Sequence, residues 1–344
     1  MAKRNPKSIN LALQGGGAHG AFAWGVIDYL LEDGNLDIEG ISATSAGSIN
    51  AVVLAQGLLN GNKEEARCTL EDFWKTISEQ GQQYLAFSTL WPSLKGLSND
   101  EYGLDNSPFY LMFDFMTRTF SPYQFNPFNI NPLRDILKEK INFSAIKNKS
   151  KQKLFLCATN VETCKVRIFN NNELSVDTIL ASACLPFLFQ SVKIGKEYFW
   201  DGGYVGNPAI FPLIYECDSR DVIIIHINPI TRKGVPTTAA EILNRINEVS
   251  FNSSLMREMR AIAFVSELVE KKKIISPDMK KMLIHSIRSD AEMSEHSVSS
   301  KLNTDWNFLL HLRDEGRKIA KEWLEVNFKK IGKESSIDIR KEFL

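Results

Sequence analysis

The run Gly15-Gly16-Gly17-Ala18-His19-Gly20 stands between an alternating segment, residues 8–13, and a stretch whose apolar residues recur at helical spacing (Phe22, Val26, Leu30). Glycines at such a junction let the chain take positive φ and let a ligand approach the backbone. A strand therefore ends in a tight turn that opens a helix. Asp33-Gly34-Asn35 supplies the helix stop, residues 38–43 read as a second strand, and residues 46–58 read as a second helix. The order strand, helix, strand, helix with short joins predicts an α/β fold built on a parallel sheet.

A glycine turn at a helix start leaves amide N–H groups unpaired and pointing outward. Such a nest binds a phosphate or stabilises the oxyanion of a tetrahedral acyl intermediate. Gly15, Gly17 and Gly20 also satisfy G-x-G-x-x-G, the dinucleotide fingerprint. That reading wants an acidic residue at the end of the second strand to hold a ribose. Asp37 and Glu39 lie at its start instead, and its end reads Ala43-Thr44-Ser45. The nucleotide-binding, Rossmann-like alternative lacks its anchor.

Ala43-Thr44-Ser45-Ala46-Gly47 is related to G-x-S-x-G, the turn that exposes a nucleophilic serine between a strand and a helix. Small residues must flank it, and Gly47 fits the position after it. Ala43 stands where glycine is usual. The competing reading is an ordinary helix N-cap, the commoner role for a serine at such a junction. A serine nucleophile also needs a base. None of the five histidines (His19, His226, His285, His296, His311) lies in a recognisable catalytic loop. The sharper candidate is Asp201, in Trp200-Asp201-Gly202-Gly203, where Gly202 and Gly203 keep the loop tight. Taken alone it also reads as a common Asp-Gly turn.

Elsewhere, residues 81–131 are rich in aromatics and broken by prolines at 92, 108, 122 and 127. This insertion is either a structural excursion or a lid over an apolar pocket. Strands resume at 153–158 and 165–169, a helix at 176–184, a hairpin at 191–194 and 197–200, and a buried strand at 221–227. The division expected is a catalytic domain at 1–236 and a helical C-terminal region at 237–344 packed upon it. In that region, residues 240–273 and 302–328 read as helices and the polar link 286–300 as a loop.

Lys plus Arg equal Asp plus Glu at 41 each, which gives no reason to expect a nucleic-acid partner. The five cysteines are odd in number and lack C-x-x-C spacing, so they read as reduced thiols without a disulfide frame or zinc site. No signal-peptide pattern or bilayer-length apolar run is found. The expectation is a cytoplasmic protein with at most peripheral membrane contact, export by a signal-less route remaining open.

The glycine turn, the x-x-Ser-x-Gly elbow and the Asp-Gly-Gly loop, in that order, resemble the patatin-like phospholipases. Ala158-Thr159-Asn160 and Ala181-Ser182-Ala183-Cys184-Leu185-Pro186-Phe187 fit the same family. The resemblance implies a three-layer α/β/α fold with a mostly parallel central sheet. It implies a Ser–Asp dyad in which Ser45 attacks an ester carbonyl and Asp201 takes its proton. It further implies an oxyanion hole from Gly15, Gly16 and Gly17, lipid or lysolipid esters as substrates, and no metal or cofactor. Acyl transfer to another acceptor and a catalytically silent module are the alternatives on the same fold. His19 stands where many members carry Arg or Lys, which leaves phosphate recognition open.

Overall fold

The computed structural model describes residues 6–86, 102–105, 108–271 and 280–344. Among the described residues eight strands form one sheet: β1 (Lys7–Leu13), β2 (Leu36–Thr44), β3 (Lys153–Asn160), β4 (Val166–Asn170), β5 (Val192–Ile194), β6 (Glu197–Asp201), β7 (Asp221–Ile225) and β8 (Leu283–Ile287). Their spatial order is β5-β6-β3-β2-β1-β7-β8, with β4 also on β3. The pairs β3–β2, β2–β1, β1–β7 and β7–β8 are parallel. Only β4, β5 and β6 bring antiparallel pairing.

Side chains alternate between the two faces of a strand. On β1, Ile9, Leu11 and Leu13 enter one apolar cluster and Ala12 enters the other. On β7, Ile223 and Ile225 go to the first and Val222 and Ile224 to the second. Each face must therefore be covered. Helices α1 (Gly20–Asp33), α2 (Ala46–Asn60), α3 (Lys63–Ala86) and Trp306–Asn327 contribute to the first cluster. Helices Phe211–Glu216, Ala239–Glu270 and Ile339–Phe343 contribute to the second. The result is the three-layer α/β/α arrangement expected.

The helix Trp306–Asn327 lies so close to α1 that both need glycine at the seam. A Cβ on Gly25 would run into the Arg313 carbonyl, and one on Gly316 into the Phe22 carbonyl. Beside this seam Trp24 stacks between Trp74 and Trp306, with centroids 6.2 and 6.1 Å away.

Two expectations need correction. The C-terminal region is not helical throughout, because Leu283–Ile287 forms β8 and extends the sheet beyond β7. A five-residue strand is too short to show a period of its own; pairing with β7 defines it. In the insertion, α3 continues to Ala86, past the expected start at residue 81, and a helix spans Pro108–Thr119. Residues 87–101 and 106–107, with Phe87 and Trp91, lie outside the described residues.

Candidate active site

Register brings the candidate residues to one place. Leu13 pairs with Ala43, Thr44 with Cys157, and Ala158 with Asp201 across the antiparallel β3–β6 pair. The residues that follow β1 and β2, and the last residue of β6, therefore meet at one edge of the sheet.

Ser45 occupies φ 54°, ψ −123°, a conformation costly for any residue with a Cβ. Its side chain makes no capping hydrogen bond to α2, so the N-cap reading does not describe what the hydroxyl does. Instead, its backbone N–H donates to Ser182 Oγ at 3.0 Å, and Ser182 Oγ lies 2.8 Å from Ser48 Oγ. The neighbours leave no room for larger residues. A Cβ on Gly15 would come within 2.6 Å of Ser45 Cβ, and one on Gly47 within 2.5 Å of the Leu13 carbonyl oxygen.

Asp201 is fully buried. Its backbone is fixed by donation to the Cys184 carbonyl at 2.7 Å and acceptance from Thr159 Oγ1 at 2.7 Å. Oδ1 accepts the Gly203 N–H at 2.7 Å, while Oδ2 has no hydrogen bond of good geometry. Burial raises the carboxyl from 3.8 to about 6, against the opposing pull of the Gly203 N–H, the Ser45 hydroxyl and the Lys301 charge. Gly202 fits beneath Cys157, and Gly203 beside Phe251. The flanking thiols stay protonated: burial pushes Cys157 far up and Cys184 to about 12.

The glycine turn differs from expectation at one residue. The Gly15 N–H donates to Asn207 Oδ1 at 2.7 Å, so it is already used. Gly16 is the N-cap and Gly17 the first residue of a 3-10 turn, Gly17–His19, positions whose N–H groups have no partner within the turn. Gly17 takes φ 60° and sits against the Lys301 backbone carbonyl.

Several residues of the site carry no local sequence signal. Gln14 Oε1 accepts from the N–H groups of Ile227 and Asn228, each at 3.0 Å, and its Nε2 donates to Asn252 Oδ1 at 3.0 Å. Asn228 Nδ2 donates to the Gly15 carbonyl at 2.8 Å, and its Oδ1 accepts from Lys301 Nζ at 2.9 Å. Lys301 also donates to Asn247 Oδ1 at 2.9 Å and lies over the Phe251 ring. Part of its stem reaches solvent, but its ammonium is enclosed, and burial lowers it to about 8. Asn207 was detectable only as a polar residue closely following the Asp-Gly-Gly loop.

His19 is buried and neutral. Desolvation, then the charge of Lys301, then His296 hold its pKa well below the usual imidazole value. Ser300 Oγ gives its proton to the Ser297 carbonyl at 2.7 Å, so it accepts from His19 Nε2, also at 2.7 Å. Position 19 thus carries no positive charge, as its place in the first helical turn implies, and Lys301 brings one to the same turn from the C-terminal region.

Such a sheet, with a strained serine at a strand–helix junction beside a buried carboxyl, defines an α/β protein with a candidate site at one edge of its sheet. The sequence model of the family described as "Patatin-like phospholipase" matches residues 11–214, and the chain belongs to that family of hydrolases. Among solved structures it is similar to VipD from Legionella pneumophila, with 15% identity, TM-score 0.37, and coverage of 90% of this chain and 67% of VipD. The type III effector ExoU matches with 14% identity, TM-score 0.35, and coverage of 93% of this chain and 53% of ExoU. ExoU in complex with SpcU from Pseudomonas aeruginosa gives 15% identity and TM-score 0.35, with 95% of this chain and 53% of that chain covered. The chain thus spans about half the length of the ExoU chains. No curated protein sequence matches it significantly. Among the described residues no helix is long and apolar enough to cross a membrane.

Proposed function

We propose that the chain is a lipid acyl hydrolase, of phospholipase A or lysophospholipase type, that cleaves fatty-acyl esters through Ser45 and Asp201. The observation that carries this reading is an uncapped elbow serine beside a buried carboxyl whose second oxygen makes no hydrogen bond. Ser45 Oγ attacks the ester carbonyl carbon as its proton passes to Asp201. The carbonyl oxygen becomes an oxyanion, held by the N–H groups of Gly16 and Gly17. Collapse of this intermediate breaks the bond to the alcohol, which leaves with the proton from Asp201. Water then gives a proton to Asp201 and attacks the acyl-enzyme, and collapse releases the fatty acid as Ser45 recovers its proton.

A carboxylate is a weak base toward a hydroxyl. The rise of Asp201 to about 6 makes it a better one while leaving it ionised at neutral pH. Gly15 serves the turn differently, by locking it to Asn207 and Asn228. Phe115, Phe120, Tyr123, Phe128 and Phe187 are exposed apolar side chains on the insertion and on the loop before β5. Tyr123 OH lies 2.9 Å from Ser191 Oγ, which ties the two segments together. In this reading they meet the acyl chain or the lipid surface.

The test is hydrolysis of a short p-nitrophenyl ester by the wild type, Ser45→Ala and Asp201→Asn, purified side by side. Activity lost in both variants supports the dyad. Activity that survives in either removes that residue from its role.

A further inference from the structure

A second cluster of chemistry-bearing side chains lies next to His19, with the His296 ring 5.8 Å from the His19 ring between centroids. Glu292 sits in the helix Asp290–Glu295, His296 follows one turn later as its C-cap, and His311 projects from Trp306–Asn327. One ligand atom from each lies within 4.8 Å of the other two. Glu292 Oε1 is 2.7 Å from His311 Nε2 and 3.4 Å from His296 Nε2. His296 is only 7% exposed, yet neither of its ring nitrogens makes a hydrogen bond. A buried imidazole left so is costly, since buried polar atoms normally find partners. Its surroundings offer rings rather than donors: Phe308 at 5.3 Å, Tyr102 at 6.3 Å and His19 at 5.8 Å between centroids.

We propose that Glu292, His296 and His311 bind one divalent transition-metal ion of the zinc class. Two imidazoles and a carboxylate are ligands that zinc takes, with a fourth position left to water. Bonds of about 2.0–2.2 Å in a tetrahedron separate ligand atoms by roughly 3.4 Å. The His296–Glu292 distance of 3.4 Å already meets that spacing. The third ligand needs only a small shift, in which metal coordination replaces the present hydrogen bond between His311 and Glu292. His311 is partly exposed, with 39% of its side chain accessible, so an ion can reach the cluster from solvent. Tyr102 stacks on the His311 ring at 5.5 Å and steadies its plane.

The ion would join two elements that flank the 3-10 segment Val298–Leu302. This segment carries Ser300, which accepts from His19, and Lys301, whose carbonyl abuts Gly17. The site would thus brace the glycine turn from behind without entering the chemistry at Ser45. Metal binding is measured directly, so the test stands whether or not the hydrolase reading does.

The experiment uses the full chain carrying Cys68→Ser and Cys164→Ser, because those two thiols are exposed and could bind zinc themselves. After stripping with a chelator, zinc is titrated against a chromophoric competitor, and cobalt(II) spectra are recorded. The expected result is one zinc per chain and a visible cobalt band without thiolate charge transfer. Losing a partner that merely orients a ligand costs roughly 10–100-fold in affinity, so His311→Ala and Glu292→Gln should each weaken zinc by at least about that. Zinc should also raise the Tm of the parent and not that of His311→Ala. The Tm of metal-free His311→Ala, read in the same melts, shows whether that variant folds, and Glu292→Gln gives an independent reading. No zinc retained, unchanged affinity in His311→Ala, or a thiolate band with cobalt would each overturn the proposal.

Discussion

Ser182 Oγ accepts the N–H of Ser45 at 3.0 Å, so the amide at the most strained point of the elbow is held by a helix far along the chain. Ser48 Oγ lies 2.8 Å from the same oxygen. The link lets the fold keep a serine at φ 54°.

Strain at Ser45 can be measured by comparing two variants at that position. Ser45→Ala keeps a Cβ and with it the strain; Ser45→Gly removes both. Residues in such conformations cost about 1–3 kcal/mol. Ser45→Gly should therefore unfold at higher urea than Ser45→Ala, with a gain in unfolding free energy smaller than that full figure because glycine gains freedom when unfolded. Equal midpoints would mean the elbow is relaxed.

In the proposed mechanism Asp201 sets the acid limb of activity. Its carboxyl is raised to about 6, so kcat/KM should fall as pH drops through that value. Stability has the opposite dependence. A group whose folded pKa is raised contributes stability below its unfolded pKa, and loses that contribution as pH rises through the folded one. A rise from 3.8 to about 6 corresponds to roughly 3 kcal/mol. Asp201→Asn should therefore gain on the wild type between those pH values and keep a plateau advantage above about 6. Urea unfolding at both ends of this window checks it; an advantage that shrinks with rising pH contradicts it.

Lys301 stabilises the charged form of Asp201. Replacing it by methionine should move the acid limb of kcat/KM to higher pH. A pH profile for Lys301→Met on a neutral ester reads this directly. A limb that stays put, or moves down, removes Lys301 from the electrostatics of the site.

Gly25 and Gly316 should tolerate no side chain. Overpacking of this kind costs typically about 1–3 kcal/mol. Gly25→Ala and Gly316→Ala should each lower the free energy of unfolding measured in urea by an amount in that range, because the added Cβ meets backbone on the facing helix. A variant as stable as the wild type would show that the two helices can separate at no cost.

Much of the site was legible from local pattern. β1, β2 and their helices follow from short-range periodicity, and the turns at Gly15–Gly17, Ser45 and Asp201 follow from residue types those turns demand. β8 leaves no local signature, because Leu283–Ile287 becomes a strand by pairing with β7. The use of the Gly15 N–H by Asn207 was equally hidden, since a hydrogen-bond partner distant in the chain leaves no mark on spacing.

By itself, then, the sequence determined the parallel core of the sheet and the turns at its edge. These depend on glycine conformations and on apolar periods spanning a few residues. Tertiary structure alone decided the electrostatics. Burial makes His19 neutral, raises Asp201 and encloses Lys301, and burial depends on which distant helices cover each group.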